Sequence, residues 1–157
     1  MKPRVYIETS VISYLASEPS RDLIVAAHQQ ITRDWWRTAE DRFDLYVSDL
    51  VLQEARMGDP AAAARRLAAV EGLAVLDVGA EATDLARELV ERGPLPARAE
   101  ADALHIAEAV VNGMDYLLSW NCAHIANARM RKGIAGLAGS HDYDCPAICT
   151  PDELLEG

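Results

Sequence analysis

The sequence has few aromatic residues and no long apolar run. Aromatic side chains make up 6% of the 157 residues, with a single phenylalanine, so the core must consist mainly of Ala, Leu, Val and Ile. No stretch approaches the roughly 20 apolar residues that cross a bilayer, and the N-terminal segment MKPRVYIE lacks the apolar region of a signal peptide. We therefore expect a cytoplasmic protein that makes no membrane contact and folds as a single domain over residues 1–157.

Cysteine is also scarce. The chain contains only Cys122, Cys145 and Cys149, and an odd number of this size argues against a disulfide framework and favours a reducing compartment. Cys145 and Cys149 stand four residues apart without a second cysteine pair, which is a weak pattern for a zinc site.

Basic residues are in the minority. Lys and Arg number 15 against 25 Asp and Glu, which gives a formal net charge of −10. Proteins that hold nucleic acid by bulk attraction rely on Lys and Arg, so this balance argues against that class. It still allows a nuclease whose acids bind divalent cations, and an acidic surface suits a basic partner peptide.

Strand-like and helix-like segments alternate along the chain. The predicted strands are 4–8, 43–49, 73–78, 115–120 and 147–151. The predicted helices are 10–17, 20–42, 50–57, 60–70, 80–93, 97–113 and 122–133, with a loop over 134–146. Such alternation predicts an α/β fold with a mostly parallel sheet of four to five strands covered by helices on both faces. In such sheets, sites form at the carboxyl ends of the strands.

Some helix details follow from side-chain spacing. Ser10 is predicted to be the N-cap of the first helix. In the long second helix, apolar residues recur every four positions: Leu23, Ala27, Ile31, Trp35 and Ala39. Of Trp35 and Trp36, one is predicted to face the core, because adjacent helical positions point about 100° apart.

Acidic residues mark the predicted carboxyl edge of the sheet. Glu8 ends the first strand, where an unpaired charge would cost several kcal/mol unless it caps the next helix or belongs to a site. Glu54 and Asp102 lie on helices near this edge, and Asn121 follows the fourth strand. Together these oxygens would suit Mg²⁺ or Mn²⁺. Taken singly, Glu54 is also typical of a solvated helix face, Asp102 of a helix-start charge, and Asn121 of a turn.

Three stretches of the sequence resemble the PIN domain, in particular the VapC-like toxins of bacterial toxin–antitoxin pairs. They are VYIETSVISYL (5–15), SDLVLQEARMGD (48–59) and AEADALHIAEAVVNGMDYLLSWNCAHIAN (99–127), of which the third is the most specific. The resemblance implies a three-layer α/β/α fold and an endoribonuclease that uses Mg²⁺ or Mn²⁺. It also implies a type II toxin with a small antitoxin partner, and a homodimer.

Carried over position by position, the resemblance makes Glu8, Glu54 and Asp102 the metal ligands and Asn121 the fourth catalytic position. Ser10 would contact the site through its hydroxyl. Two positions depart from the family pattern, since most members have Asp at the first position and many have Asp at the fourth. The site would then hold three negative charges, enough for one divalent cation.

Other residues have secondary roles in this interpretation. Asp115 is a reserve acid, although it begins the fourth strand and should lie at the far end of a parallel sheet. His105, three residues after Asp102, could hold the site in place or contact substrate, or simply pack in a helix.

The basic residues Arg129, Arg131 and Lys132 could bind RNA phosphates or only complement a helix C-terminus. A second hypothesis remains open because of Glu8 and Asn121. On this view the chain is a PIN-type module with weak or no catalysis that acts through protein or RNA binding.

Overall fold

The computed structural model describes residues 1–156 and contains one five-stranded sheet. The strands are β1 (Arg4–Ile7), β2 (Asp44–Ser48), β3 (Ala74–Leu76), β4 (Tyr116–Leu118) and β5 (Ala147–Cys149). They lie in the order β3-β2-β1-β4-β5, and every neighbouring pair is parallel. The predicted α/β fold is confirmed. Because the chain leaves β1 toward β2 on one side and returns as β4 on the other, the strand order reverses at β1, where open α/β sheets bind ligands.

Helices cover both faces of the sheet. They are α1 (Thr9–Ala16), α2 (Leu23–Arg42), α3 (Asp49–Ala55), α4 (Pro60–Val70), α5 (Ala80–Glu91), α6 (Glu100–Val111) and α7 (Ala128–Ser140), with 3₁₀ turns at Ala97–Ala99 and Pro151–Leu154. Helix α1 packs against α2, α3 and α4, while α5 packs against α6 and α7. This arrangement gives the three-layer α/β/α architecture. None of the helices within residues 1–156 combines the length and apolar character that a membrane crossing requires.

The core is centred on β1 and α6. Residues 5–7 of β1 are fully buried between β2 and β4. The apolar stripe of α6 is buried at Ala103, Ile106 and Val110. Because α6 is buried on more than one face, it also takes His105 and Glu108 out of contact with water, which makes the partners of these two polar side chains important.

Only the second half of the apolar stripe predicted for α2 is buried. Trp35 and Ala39 are buried, but Leu23 is 86% exposed and Ala27 is also exposed. A spacing of exactly four residues drifts by about 40° per step around a helix, so it leaves one face within a few steps. The buried positions of the first half are instead Gln29 and Thr32. As predicted, one of the two adjacent tryptophans, Trp35, is in the core.

The region after β4 differs from the prediction. Residues 122–126 form turns, and the helix runs over 128–140, so it begins later than the predicted helix 122–133 and extends into the segment 134–146 predicted as loop. Asn127 caps this helix with its side-chain oxygen, and such local side-chain bonds favour a turn over helix before the cap. Gly133 packs closely, since a Cβ there would come within 3.1 Å of Pro94, whereas Gly136 and Gly139 of the predicted loop have open space around them and are accommodated within the helix.

The buried acid Glu108 should make stability depend on pH. Burial raises the pKa of Glu108 to about 7; a hydrogen bond from Asn112 opposes this shift, and the negative charge of Asp49 adds to it. The Oε1 of Glu108 has no partner among the described residues. Because this pKa lies above the value in the unfolded chain, the proton binds the folded state more tightly. Protonation of Glu108 therefore stabilises the fold fully below about pH 4.5, and this contribution is lost as the pH rises through about 7.

We predict that Glu108→Gln is more stable than the wild type at pH 8 by about 1 to 3 kcal/mol, and that this difference shrinks toward pH 5. Urea unfolding at both pH values measures it, with Glu40→Gln, an exposed acid on α2, as the matched control. A difference that does not change between the two pH values would show that Glu108 is not a buried, raised-pKa acid.

Candidate active site

Glu8 lies directly after β1, at the point where the strand order reverses. Its side chain is 6% exposed, and its Oε1 accepts hydrogen bonds from the hydroxyls of Ser10 at 2.5 Å and Ser119 at 2.6 Å. Each serine oxygen also accepts a backbone N–H, from Trp120 and Asn121 respectively, so its own proton is directed to the carboxylate. One oxygen of the buried carboxyl group therefore has two hydrogen-bond donors.

The structure shows that the side chain of Glu8 does not cap helix α1. Glu8 occupies the N-cap position of α1, but its side chain makes no capping bond, and only its backbone oxygen accepts from the N–H of Val11. The prediction that Ser10 caps the helix was wrong. Ser10 lies inside the first turn and donates to Glu8 instead, because that buried carboxylate needs a donor.

Glu54 approaches the same place from α3. Its Oε1 lies 2.5 Å from the hydroxyl of Thr9 and 2.5 Å from Nε2 of His105. Burial alone would raise the pKa of Glu54, but the hydrogen bonds from His105 and Thr9 outweigh it, and the pKa lies below its ordinary value. Glu54 is therefore ionised at neutral pH.

Glu8 and Glu54 meet at the edge of the sheet. Ligand atoms of Glu8, Glu54 and His105 lie within 4.8 Å of one another, and no other such group of potential ligands occurs within residues 1–156. Glu8 and Glu54 are 46 residues apart in the sequence, with β2 between them along the polypeptide. Such proximity of two acids favours binding of a cation.

Asp102 and Asn121 are placed differently. Asp102 lies in the first turn of α6 and is not in the 4.8 Å group; its Oδ2 is 2.8 Å from Nδ1 of His124. It precedes His105 by three residues, so both occupy one helix face. The Asn121 side-chain oxygen accepts the backbone N–H of His124, which is the bond of a turn residue.

Each of the three acids has one oxygen to spare. Oε1 of Glu8, Oε1 of Glu54 and Oδ2 of Asp102 are held by protein groups, whereas the other oxygen of each has no protein partner in the described chain. None of these three free oxygens is a fully buried atom. A set of anchored carboxylates with free, reachable oxygens fits Mg²⁺ or Mn²⁺, which prefer oxygen ligands.

Sequence reasoning missed the contact of Ser119 with Glu8 and that of His124 with Asp102. Ser119 has a recognisable signal, since it is a polar residue at the end of a buried strand. His124 has none, because its partner Asp102 lies 22 residues earlier. Asp115 is where the sequence placed it, at the opposite end of the sheet, with its carboxylate accepting the backbone N–H of Arg4 at 2.8 Å.

A groove of about 420 Å³ includes in its wall His124, the partner of Asp102. Its lining includes His124, Asn127, Arg98 and Arg129 and contains no acidic residue. The guanidinium groups of Arg98 and Arg129 are exposed and have no acidic partner among the described residues.

The other two basic candidates lie outside the groove. Arg131 approaches Glu153 at 3.7 Å, and Lys132 is exposed.

Comparison with known proteins identifies the family of this chain. The sequence profile of the PIN domain matches residues 5–121. The chain belongs to the PIN domain family. The matched residues include Glu8, Glu54, Asp102 and Asn121. A comparison with curated proteins finds no match.

Two solved structures share the fold of this PIN domain. VapBC2 of Rickettsia felis, bound to a promoter DNA fragment, is 15% identical with a TM-score of 0.59, covering 93% of this chain and 97% of its own. VapC20 of Mycobacterium tuberculosis, a toxin that cleaves the sarcin–ricin loop, is 18% identical with a TM-score of 0.57, covering 76% of this chain and 91% of its own. At these identities the likeness establishes the VapC-like PIN fold alone.

Proposed function

We propose that this PIN domain is a metal-dependent endoribonuclease that hydrolyses RNA phosphodiester bonds and acts as the toxin of a type II toxin–antitoxin pair. The observation that carries the proposal is the convergence of Glu8 and Glu54 at the reversal point of the sheet, each with one oxygen anchored and one free. PIN domains are nucleases, and this arrangement provides the acidic site that such chemistry needs.

The protein residues have distinct tasks in this mechanism. Glu8, Glu54 and Asp102 would hold Mg²⁺ or Mn²⁺ through their free oxygens. When bound, such an ion lowers the pKa of a coordinated water and offsets charge on the phosphate. Ser10 and Ser119 fix the carboxylate of Glu8, and one of the three acids would accept the proton of the attacking water.

RNA would reach the acids along this groove, because its wall includes His124, the partner of Asp102. Arg98 and Arg129 place two positive charges along it, and the local charge there is opposite to the net charge of −10. Phosphates would contact these arginines while the scissile bond lies against the acids. Among the basic residues of α7 that the sequence offered, Arg129 lines the groove, so we assign lesser roles to Arg131 and Lys132.

We also propose a small antitoxin partner and a homodimer, in the cytoplasm. The structural neighbour VapBC2 is a toxin–antitoxin complex, and the acidic balance of this chain suits a basic antitoxin segment.

We predict that Asp102→Asn abolishes most cleavage, by about a hundredfold or more, because one free oxygen and one negative charge are lost. The Asp102 side chain is 23% exposed and has a single partner, so stability should change by less than about 1 kcal/mol. Cleavage of labelled RNA with Mn²⁺ or Mg²⁺ measures the rate. Asp44→Asn, the same change at an exposed position on β2, is the matched control. Wild-type cleavage by Asp102→Asn would remove Asp102 from the site.

Divalent metal should stabilise the folded protein. A ligand at about a hundred times its Kd adds about 2.7 kcal/mol, which in a chain of this length raises the Tm by roughly 5 to 10 °C. Thermal unfolding in a Mn²⁺ titration measures this shift, and Glu54→Gln should reduce it because a carboxylate ligand is lost. No shift at millimolar Mn²⁺ would favour the alternative of a PIN-type module without catalysis.

Replacing Arg98 and Arg129 together by Ala should raise the KM for RNA while leaving kcat nearly unchanged, since the arginines contact the backbone and not the reacting bond. Losing two single-strand phosphate contacts should also reduce the slope of log affinity against log salt by about 1.4. The control replaces Arg37 and Arg87, which are ion-paired on α2 and α5. Equal effects of the two double variants would mean that the groove has no special role.

A further inference from the structure

We propose that His105 is a positioning residue, held by Tyr6 and Ser48, that fixes Glu54 in the orientation needed to bind metal. This proposal rests on the proposed function, in which Glu54 binds metal. It assigns to His105, Tyr6 and Ser48 a positioning role that the family resemblance did not give them. None of the three would touch metal or substrate.

The four side chains form one continuous hydrogen-bonded chain. The Oγ of Ser48 lies 2.7 Å from the hydroxyl of Tyr6, which lies 2.7 Å from Nδ1 of His105. Nε2 of His105 lies 2.5 Å from Oε1 of Glu54. Ser48 and Tyr6 are fully buried and His105 is 1% exposed. The chain joins β2, β1, α6 and α3, so it ties four elements together beneath the carboxylate.

The direction of each hydrogen bond follows from the partner at each end. The ionised carboxylate of Glu54 only accepts, so Nε2 of His105 donates to it. In a neutral imidazole Nδ1 then accepts, and the Tyr6 hydroxyl donates to it. Tyr6 in turn accepts from Ser48, whose oxygen accepts the backbone N–H of Val51. Every proton in this arrangement has an acceptor.

The opposite direction of these hydrogen bonds leaves one buried hydroxyl without an acceptor. A charged imidazole would donate to Tyr6 from Nδ1, and Tyr6 would donate to Ser48. The Ser48 hydroxyl would then have no acceptor among the described residues, inside a fully buried setting. The direction in which Ser48 donates to Tyr6 and Tyr6 donates to Nδ1 of His105 therefore satisfies the buried groups better, because a buried polar group without a partner is costly.

This assignment changes the donor set of the site. Although His105 lies in the 4.8 Å group with Glu8 and Glu54, both of its nitrogens are occupied, one by Tyr6 and one by Glu54. The groups left for a metal are carboxylate oxygens. An all-oxygen set suits Mg²⁺ and Mn²⁺, whereas an imidazole ligand would favour zinc and copper.

Three variants and one control test the positioning role through Mn²⁺ affinity measured by titration calorimetry. His105→Leu removes the donor to Glu54 and Tyr6→Phe removes the donor to His105, and each should weaken binding by about 10- to 100-fold. His105→Gln keeps an amide N–H near the position of Nε2 and should stay within about threefold of the wild type. Tyr46→Phe is the same change at the paired position on β2 and should have no effect.

The opposite pattern would overturn the proposal. If His105→Gln binds as weakly as His105→Leu while Tyr6→Phe binds normally, the imidazole acts as a ligand or as packing. Wild-type Mn²⁺ affinity in both His105→Leu and Tyr6→Phe would mean that the hydrogen-bonded side chains have no influence on the site. If His105→Leu does not fold, the remaining two substitutions still separate these outcomes.

A second measurement does not depend on metal or RNA. Nitrogen-15 NMR of the metal-free protein should show a hydrogen-bonded proton on Nε2 of His105, and the Nδ1 signal should shift in Tyr6→Phe because that nitrogen loses its partner. A ring without a proton on Nε2, or an Nδ1 signal that is the same in Tyr6→Phe, would contradict the proposed hydrogen bonds. If the wild type binds no Mn²⁺, the proposed function fails, while the spectrum still decides whether Tyr6 is bonded to Nδ1 of His105.

Discussion

The buried carboxylate of Glu8 needs donors, and the arrangement of the sheet supplies them. An ionised group that is 6% exposed would cost several kcal/mol without partners. Because β4 pairs with β1 in parallel register, with Ile7 opposite Leu118, Ser119 comes to lie beside Glu8. Helix α1 brings Ser10 from the other side. The reversal of strand order at β1 therefore both creates the site and satisfies its most deeply buried charge.

Helix α6 carries three polar residues at three-residue spacing, and their surroundings differ. Asp102 is partly exposed and paired with His124, His105 is buried with both nitrogens bonded, and Glu108 is buried with one oxygen unpartnered. The same helix thus presents a reachable carboxylate, an anchored imidazole and an acid with a raised pKa. Position along α6 decides which of these a residue becomes, because residues 100–102 are exposed or partly exposed whereas residues 105–110 are buried.

Bulk charge and local charge have opposite meanings in this protein. The net charge of −10 would repel RNA at long range, but the groove lined by Arg98 and Arg129 contains no acidic residue. A divalent cation held by the acids would further reduce the repulsion where the phosphate must approach. An acidic protein can therefore act on RNA if its positive charges are gathered beside the site.

The alternation of strands and helices, the buried stripe of α6 and the anomaly of an acid at the end of β1 were readable from the sequence. Each depends on short-range periodicity or on the cost of one buried group. The regular spacing in α2 misled, because four-residue steps drift around the helix, and Gly136 and Gly139 lie within helix α7 although their segment was predicted as loop.

Only the tertiary structure decided which side chains meet. Glu8 with Ser119, and Tyr6 with His105, are about a hundred residues apart along the chain, and no local pattern encodes such a pair. Their meeting depends on strand order and on the rotation of α6 against the sheet, which are set by packing of the whole core. The sequence determined that an acidic edge would exist, and the fold determined which hydroxyls and imidazoles hold it.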